Sequence, residues 1–461
     1  MGIKRPPGPA PRFLIGNMPL AAARPLDVFR EWASRYGDIF YYRAFWVHVY
    51  VLNHPDLIEH VLVRNPKNFL KDRAVRNARW VLGEGLLSSE GDHWKRQRRL
   101  AQPAFHRHKV ESYAAIMTEY TEQMAQQWSA GGTFDVHEQM MQLTLRIVVR
   151  TLFGVETAHT QDISRSLTTV MRNSSGARLI LPGFARWLPL PGMRELRRAV
   201  SDLDRTVYQI ISQRRTVNTE SDDLLSMLMD SRDEDGACMD DKQVRDETMT
   251  FFLAGHETTA LALSWACHLL SRHPEAERRL HAELDSVLHG RTPTLGDLAQ
   301  LPFTDGVVKE ALRLYPPAWA MARTTIEEFE LGGYRIPAGA NIVMSQWVMH
   351  RDPRYFPEPE KFDPARWSAE RTEKLPRFAW FPFGGGPRQC IGNAFAMMEA
   401  SLLLAVIASR FELGAVDEAA AEPVPGFTLR PRNGVRLQVK RRVVADEPTG
   451  AAFPNRILDT L

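Results

Sequence analysis

The sequence predicts a mainly α fold with minor β, built as a single large helical domain over residues 1–440, with a small β-rich N-terminal region and a tail at 441–461. Three observations carry that expectation. Apolar residues recur at helical spacing through 110–155 and 241–288. Shorter β-branched runs at 47–52 and 330–343 have the length and composition of strands. No Gly/Ser-rich or acidic linker and no repeat period divides the chain, so one domain is expected although length alone suggests about three.

Composition narrows the function classes. Lys+Arg number 58 against 55 Asp+Glu, a formal charge of +3, which argues against a protein that coats nucleic acid. With 44% hydrophobic and 25% charged residues the chain reads as globular, not disordered or fibrous. Cys238, Cys267 and Cys390 are too few and too far apart for a disulfide framework or a paired zinc site, so a reducing compartment is expected. Lys4 and Arg5 precede no apolar stretch of a signal peptide, Pro6 spoils a myristoylation motif, and the longest apolar run, 400–408, is far short of a membrane span. The expectation is a cytoplasmic protein without a transmembrane anchor, in which the Asn173-Ser174-Ser175 sequon has no chemical use. The Pro-, Gly- and apolar-rich segment 179–193 reads as a mobile lid or a hydrophobic patch, and the sequence does not decide whether it touches membranes.

The most informative segment is 383–392, Phe-Gly-Gly-Gly-Pro-Arg-Gln-Cys-Ile-Gly, a glycine-rich turn before a helix-like run that begins near Asn393. Backbone N–H groups and a helix N-terminus favour negative charge, so the Cys390 thiol is expected below its reference of about 8.5, as a thiolate able to ligate metal. The glycines let backbone pass close to a flat group, and Arg388 suits bidentate pairing with a carboxylate. A buried structural cysteine is the competing reading, preferred for Cys238 and Cys267. Phosphate cradling fails because no Lys-Ser/Thr follows the glycines.

Phe383, Gly386, Arg388, Cys390 and Gly392 form Phe-x-x-Gly-x-Arg-x-Cys-x-Gly, which resembles the haem-binding loop of the cytochrome P450 family. The resemblance implies the cytochrome P450 fold and a haem b cofactor (iron protoporphyrin IX). Cys390 would then be the proximal thiolate on the iron, Arg388 a propionate partner and Phe383 a shield for the sulfur.

Other segments agree in order. Ala254-Gly255-His256-Glu257-Thr258-Thr259 sets an acid beside a hydroxyl. Gly255 weakens a helix by about 1 kcal/mol, and the following threonine can bond an upstream carbonyl to open a groove. On the residues alone an ordinary amphipathic helix explains it equally; the resemblance makes Glu257 and Thr258 the proton-relay pair. A zinc-protease reading fails because Ala260 stands where a second histidine is needed. Glu310 and Arg313 share a helix face that stops at Pro316-Pro317. Read alone they are a surface ion pair. By resemblance to Glu-x-x-Arg they form a buried structural network with Arg366. Trp94 and Arg98, at i, i+4, match the family's Trp-x-x-x-Arg and, with Arg323, would hold haem propionates.

The resemblance further places Leu253, Ala254, Ala318, Ala320, Met321 and Phe427 in a substrate pocket. All are apolar, which suits a terpene, steroid or fatty-acid-like guest, and the 69–82 and 179–193 loops would set the pocket's shape. The implied activity is a monooxygenase that inserts one atom of O2 into an apolar small molecule by hydroxylation or epoxidation. No flavin or iron–sulfur segment follows, so electrons are expected from a separate ferredoxin or flavodoxin with its NAD(P)H reductase. Lys95, Arg96, Arg99, Arg107 and Lys109 form a basic cluster that reads either as a steering surface for an acidic partner or as a solvated face. The rival classes are a haem-thiolate peroxygenase or isomerase that does not use O2, and a haem-binding sensor; dependence on dioxygen and reductant separates them.

Overall fold

A computed structural model describes residues 5–12, 14–154, 160–173, 192–216 and 223–442. Residues 179–191 of the expected lid, Ser174 and Ser175 of the sequon, and 443–461 of the expected tail lie outside the described residues.

The central element is the 30-residue helix Asp241–Leu270. It starts at Asp240, whose carboxylate accepts the Gln243 N–H at 2.7 Å while the Gln243 side chain accepts the Asp240 N–H at 3.2 Å. Its apolar residues run round the whole circumference, and a helix of that kind is stable only inside the core. Accordingly Met249, Phe252, Leu263 and Trp265 are fully buried. Val136–Phe153 packs against it, begun by the Asp135 side chain on the N–H groups of His137 and Glu138 and ended by Gly154 at φ 61°. Gly255 marks close approach of these two helices: a Cβ there would lie 3.1 Å from Val148 Cγ2.

In chain order the strands are β1 (Ile39–Ala44), β2 (Val47–Leu52), β3 (Phe69–Lys71), β4 (Gly132–Asp135), β5 (Met321–Thr325), β6 (Phe329–Leu331), β7 (Tyr334–Ile336), β8 (Asn341–Met344), β9 (Phe411–Ala415), β10 (Pro423–Pro425), β11 (Leu429–Pro431) and β12 (Arg436–Arg441). The largest sheet has the order β1-β2-β8-β5-β3, with β2 and β8 parallel. The N-terminal β region therefore completes itself with strands from 321–344. The cause is visible in β2, where Val49 to Leu52 are buried in succession, so this strand is covered on both faces and paired on both edges.

Glu310, Arg313 and Arg366 come together at one point. Glu310 and Arg313, on the helix Pro302–Leu314, are both 0% exposed and form a two-pronged pair at 2.8 and 2.7 Å. Arg366 Nε reaches Glu310 at 3.4 Å, and Trp367 Nε1 and the Asp363 N–H also donate to it. Arg313 spends its remaining donors on the carbonyls of His350, Pro359 and Lys361. A pair this dry is tolerated only because every proton and lone pair is matched.

The helix Asn393–Arg410 is long and apolar enough to cross a bilayer by composition, but 67% of that window is buried inside the protein. It is a core helix that carries the segment after Cys390.

Candidate functional site

The 383–392 turn is closed by the Cys390 N–H donating to the Phe383 carbonyl at 3.0 Å. Its glycines answer to protein neighbours. Gly386, at φ 68°, lies so near the Leu62 carbonyl oxygen that a Cβ would be 1.8 Å away, and a Cβ on Gly384 would stand 2.9 Å from Met321 Cε. Phe383 packs against the main core. Cys390 is exposed between buried Phe381 and Phe395. The thiol differs from expectation: enough protein surrounds it that loss of bulk water pushes it above its ordinary value, outweighing the Gly392 N–H, Arg98 and Lys71, which pull it down. Cys267, buried and pushed up to about 12, is inert. Among the described residues no group of His, Cys, Asp or Glu side chains has the arrangement of a metal cage.

Cations gather beside this turn. Arg98 donates from Nη1 to the Gln389 carbonyl at 2.9 Å, next to the cysteine, and from Nε to Gln102. The Arg388 guanidinium lies over the Trp94 ring, 3.9 Å from its centroid, and donates to the Ser89 carbonyl and to Glu90. Arg323, on β5, is 8% exposed and pairs in register with Lys71 on β3. Lys71 is pushed down to about 7 by burial and by the Arg323 and Arg388 charges, against the pull of Asp72 and Glu90. Burial also lowers Arg323 and takes Arg388 down to about 10. Buried cations thus outnumber the two carboxylates among them, an arrangement that favours a guest carrying further negative charge.

The central helix supplies the opposite character. Within a helix buried nearly throughout, Ala254 is exposed and Gly255 and Thr258 are partly so. The Thr258 hydroxyl donates to the Ala254 carbonyl at 2.6 Å, the local back-bond expected of that threonine. Glu257 points elsewhere. It is 0% exposed, and its Oε1 accepts from Thr428 at 2.9 Å and from Arg430, while Oε2 has no hydrogen-bond partner among the described residues. Ala318, Ala320, Met321 and Phe427 are partly buried, whereas Leu253 is packed in the core at 7% exposure.

Sequence reasoning missed Lys71, Glu90, Thr428, Arg430 and Trp367. It also missed Glu399, fully buried on the helix after the cysteine and pushed up to about 8 by burial, with Thr259 pulling the other way. The basic cluster changes character. Arg96 pairs with Asp233 at 2.6 Å, Arg99 with Glu234, Lys95 with Asp92 and Arg107 with Glu111. Lys109 lies over the Tyr113 ring. Most of its charge is locally compensated. What remains beside it is a groove of about 450 Å³ lined by Trp94, Lys95, Arg98, Arg99 and His106.

The fold and this arrangement suit a haem protein, and comparison with known proteins gives its family. The sequence profile described as Cytochrome P450 matches residues 6–439. The chain is 40% identical over 427 residues to cyclooctat-9-en-7-ol 5-monooxygenase of Streptomyces melanosporofaciens, covering 92% of this chain and 90% of that one. It is 37% identical to pentalenene oxygenase of Streptomyces avermitilis, covering 95% and 97%. A solved structure, retinoic acid bound cyanobacterial CYP120A1, shares the fold at a TM-score of 0.85 and 24% identity, over 96% of this chain and 100% of that one. The chain belongs to the cytochrome P450 family, and within it is an oxygen-incorporating oxidoreductase, a monooxygenase that uses haem. The residues present fit that group: an exposed thiol on a rigid turn suits the iron, and a surplus of buried cations suits a flat ring bearing carboxylates.

Proposed function

We propose that this chain is a cytoplasmic haem b monooxygenase that hydroxylates or epoxidises a terpene, drawing electrons from a separate ferredoxin or flavodoxin and its NAD(P)H reductase. The observation that supports the substrate class is the incomplete cover of Ala254, Gly255 and Thr258 on an otherwise buried core helix, together with relatives named for cyclooctatin and pentalenene oxidation. Overall, one C–H bond, one O2, two electrons and two protons become one C–OH group and one water.

Bound haem supplies the electron-transfer and dioxygen chemistry that side chains lack. Cys390 Sγ holds the iron. Arg388, Arg323, Arg98 and Trp94, with Lys71, hold the propionates, and Phe383 and Gly386 fix the turn. Thr258 keeps a hydroxyl at the uncovered part of the helix, where it passes protons. Glu257, one position earlier, is the acid behind it. Its Oε1 is fixed by Thr428 and Arg430, and its free Oε2 is the atom that exchanges protons. The apolar lining orients a hydrocarbon by shape and excludes water.

The test is to reduce the haem-loaded protein under carbon monoxide and then titrate the ferric form with sesquiterpenes, diterpenes, steroids and fatty acids. We expect the thiolate-type band, lost in Cys390→Ser, and a spin-state shift with a terpene followed by uptake of label from isotopic dioxygen. A shift confined to fatty acids or steroids refutes the substrate class. Product formation without dioxygen refutes the monooxygenase reaction.

A further inference from the structure

Two turn tips at one corner of the molecule break the usual chemistry of turns. Arg12 and Gly16 exchange backbone hydrogen bonds at 3.2 and 3.0 Å around a tip that carries Leu14 and Ile15. Ala44 pairs with Val47 around the tip of the β1–β2 hairpin, Phe45-Trp46. The two lie side by side, joined by the Phe45 N–H to the Ile15 carbonyl at 3.2 Å and by a bridge between Gly16 and Ala44. Such positions normally take Gly, Asn or Asp, because those residues tolerate positive φ and water. Here Leu14 has φ 65° and Phe45 φ 53°, so bulky apolar residues sit in the left-handed region at some cost in strain.

The exposure is large. Leu14 is 72%, Trp46 70%, Leu20 51% and Ile15 38% exposed, four of the seven exposed large apolar residues among those described. Leu20 belongs to the helix Met18–Ala23, Met-Pro-Leu-Ala-Ala-Ala, which has no charged and no buried residue. This is not fraying. Asn17, 7% exposed, locks the corner: its side chain donates to the Ala10 carbonyl at 3.0 Å and accepts the Arg43 N–H at 3.2 Å. A fixed apolar corner in water needs an occupant.

Charge indicates which one. Residues 1–23 contain Lys4, Arg5 and Arg12 and no Asp or Glu, Arg24 is paired with Asp27 at 2.9 Å, and residues 39–52 contain Arg43 and His48 and again no acid. Arg43 Nη2 donates to the Arg12 carbonyl, so those two cations flank the apolar tips. Aliphatic and indole side chains flanked by Arg12 and Arg43 match an interface whose outer layer is anionic phosphate and whose inner layer is hydrocarbon. The geometry points to this corner as a docking site for the surface of an anionic lipid bilayer, with Leu14, Ile15, Leu20 and Trp46 entering the headgroup boundary and Arg12 and Arg43 meeting phosphates. The attachment is peripheral and reversible. It goes beyond the reaction proposed above and does not depend on it.

The test is cosedimentation of the haem-loaded full chain with vesicles of phosphatidylglycerol or of phosphatidylcholine, at low and high salt. Binding is expected to phosphatidylglycerol, weakened by salt. Leu14→Ser/Trp46→Ser is expected to lower it at least about tenfold, and Arg12→Glu by about fivefold or more on phosphatidylglycerol only. All these positions are exposed, so an unchanged absorbance spectrum shows an intact fold. Brominated lipid is expected to quench wild-type emission more than that of Trp46→Phe. Failure of the wild type to sediment with phosphatidylglycerol overturns the proposal, as does equal binding by the double variant. If the same substitutions instead slow reduction by a soluble electron-donor protein, with vesicle binding unchanged, the corner is a protein-docking face and the proposal falls. Because none of these readouts uses substrate turnover, their failure is distinguishable from failure of the terpene reading.

Discussion

Arg430 is the residue on which the buried acid of the central helix depends. Glu257 is fully enclosed, and apart from the Thr428 hydroxyl its polar partner is the Arg430 guanidinium. Removing one member of a buried pair leaves the other desolvated and unmatched, which costs about 3–5 kcal/mol. Arg430→Ala is therefore expected to lower the unfolding free energy by about 3 kcal/mol or more, read by denaturant unfolding, whereas Arg430→Lys recovers part of it. Thr258→Ala leaves a cavity of only a few atoms, so its fold should survive. Its expected effect is on coupling: NAD(P)H is consumed while peroxide or water is released in place of product. Unchanged coupling would remove Thr258 from proton delivery.

The Cys390 turn works through what its glycines allow nearby elements to do. Gly386 combines φ 68° with a carbonyl of Leu62 where a side chain would go. Gly386→Ala is expected to cost about 1–3 kcal/mol in backbone strain and, by displacing the turn, to weaken haem retention, measured by transfer of haem to an acceptor globin. This turn was legible in the sequence because its chemistry is written in ten consecutive residues. The Glu310–Arg313 pair was legible in part, since i, i+3 spacing names the two partners, but Trp367 and the 350–361 carbonyls that complete it are not encoded in that spacing. Elements joined only in space stayed hidden. Arg430 meets Glu257 across 173 positions. Lys71 meets Arg323 only because β3 and β5 are neighbours. The run of cations after Trp94 reads as a free basic face until Asp233 and Glu234, distant in sequence, are folded against it. The helices and the central strand were legible from periodicity, while the sheet's borrowing of β5 and β8 was not.

At the scale of the molecule, buried titratable groups set the pH response. Burial pushes Glu247 and Glu399 up to about 8 and Glu277 to about 7. Each then holds in the folded state a proton that the unfolded chain releases above its usual carboxylate value, so their contribution is full below about pH 4.5 and is lost as pH rises toward 8. Burial moves histidines the other way, with His137, His268 and His281 at about 4 and His256 at about 3. These stay neutral when folded, so acid below about pH 6.5 favours the unfolded chain. These histidines, joined by His350, which burial also pushes down, outweigh the three carboxyls between the two limits; above them the three carboxyls outweigh Lys71, held at about 7, so stability is expected to peak near about pH 6.5. Thermal midpoints across pH check this, and in Glu399→Gln the fall on the alkaline side should be shallower than in the wild type.

The dry junction at Glu310 also has a consequence for how the chain is made. Its side-chain partners Arg366 and Trp367 stand 56 and 57 positions later. At about 5–20 residues per second a ribosome takes roughly 3–11 s to deliver them. For that interval the Pro302–Leu314 helix carries a carboxylate and a guanidinium whose final partners have not yet emerged, so it cannot settle into the core in its finished form. The cysteine turn is synthesised after those partners. The cysteine turn is therefore born onto a junction that has just become closable, which orders assembly so that scaffold closure can precede completion of that turn.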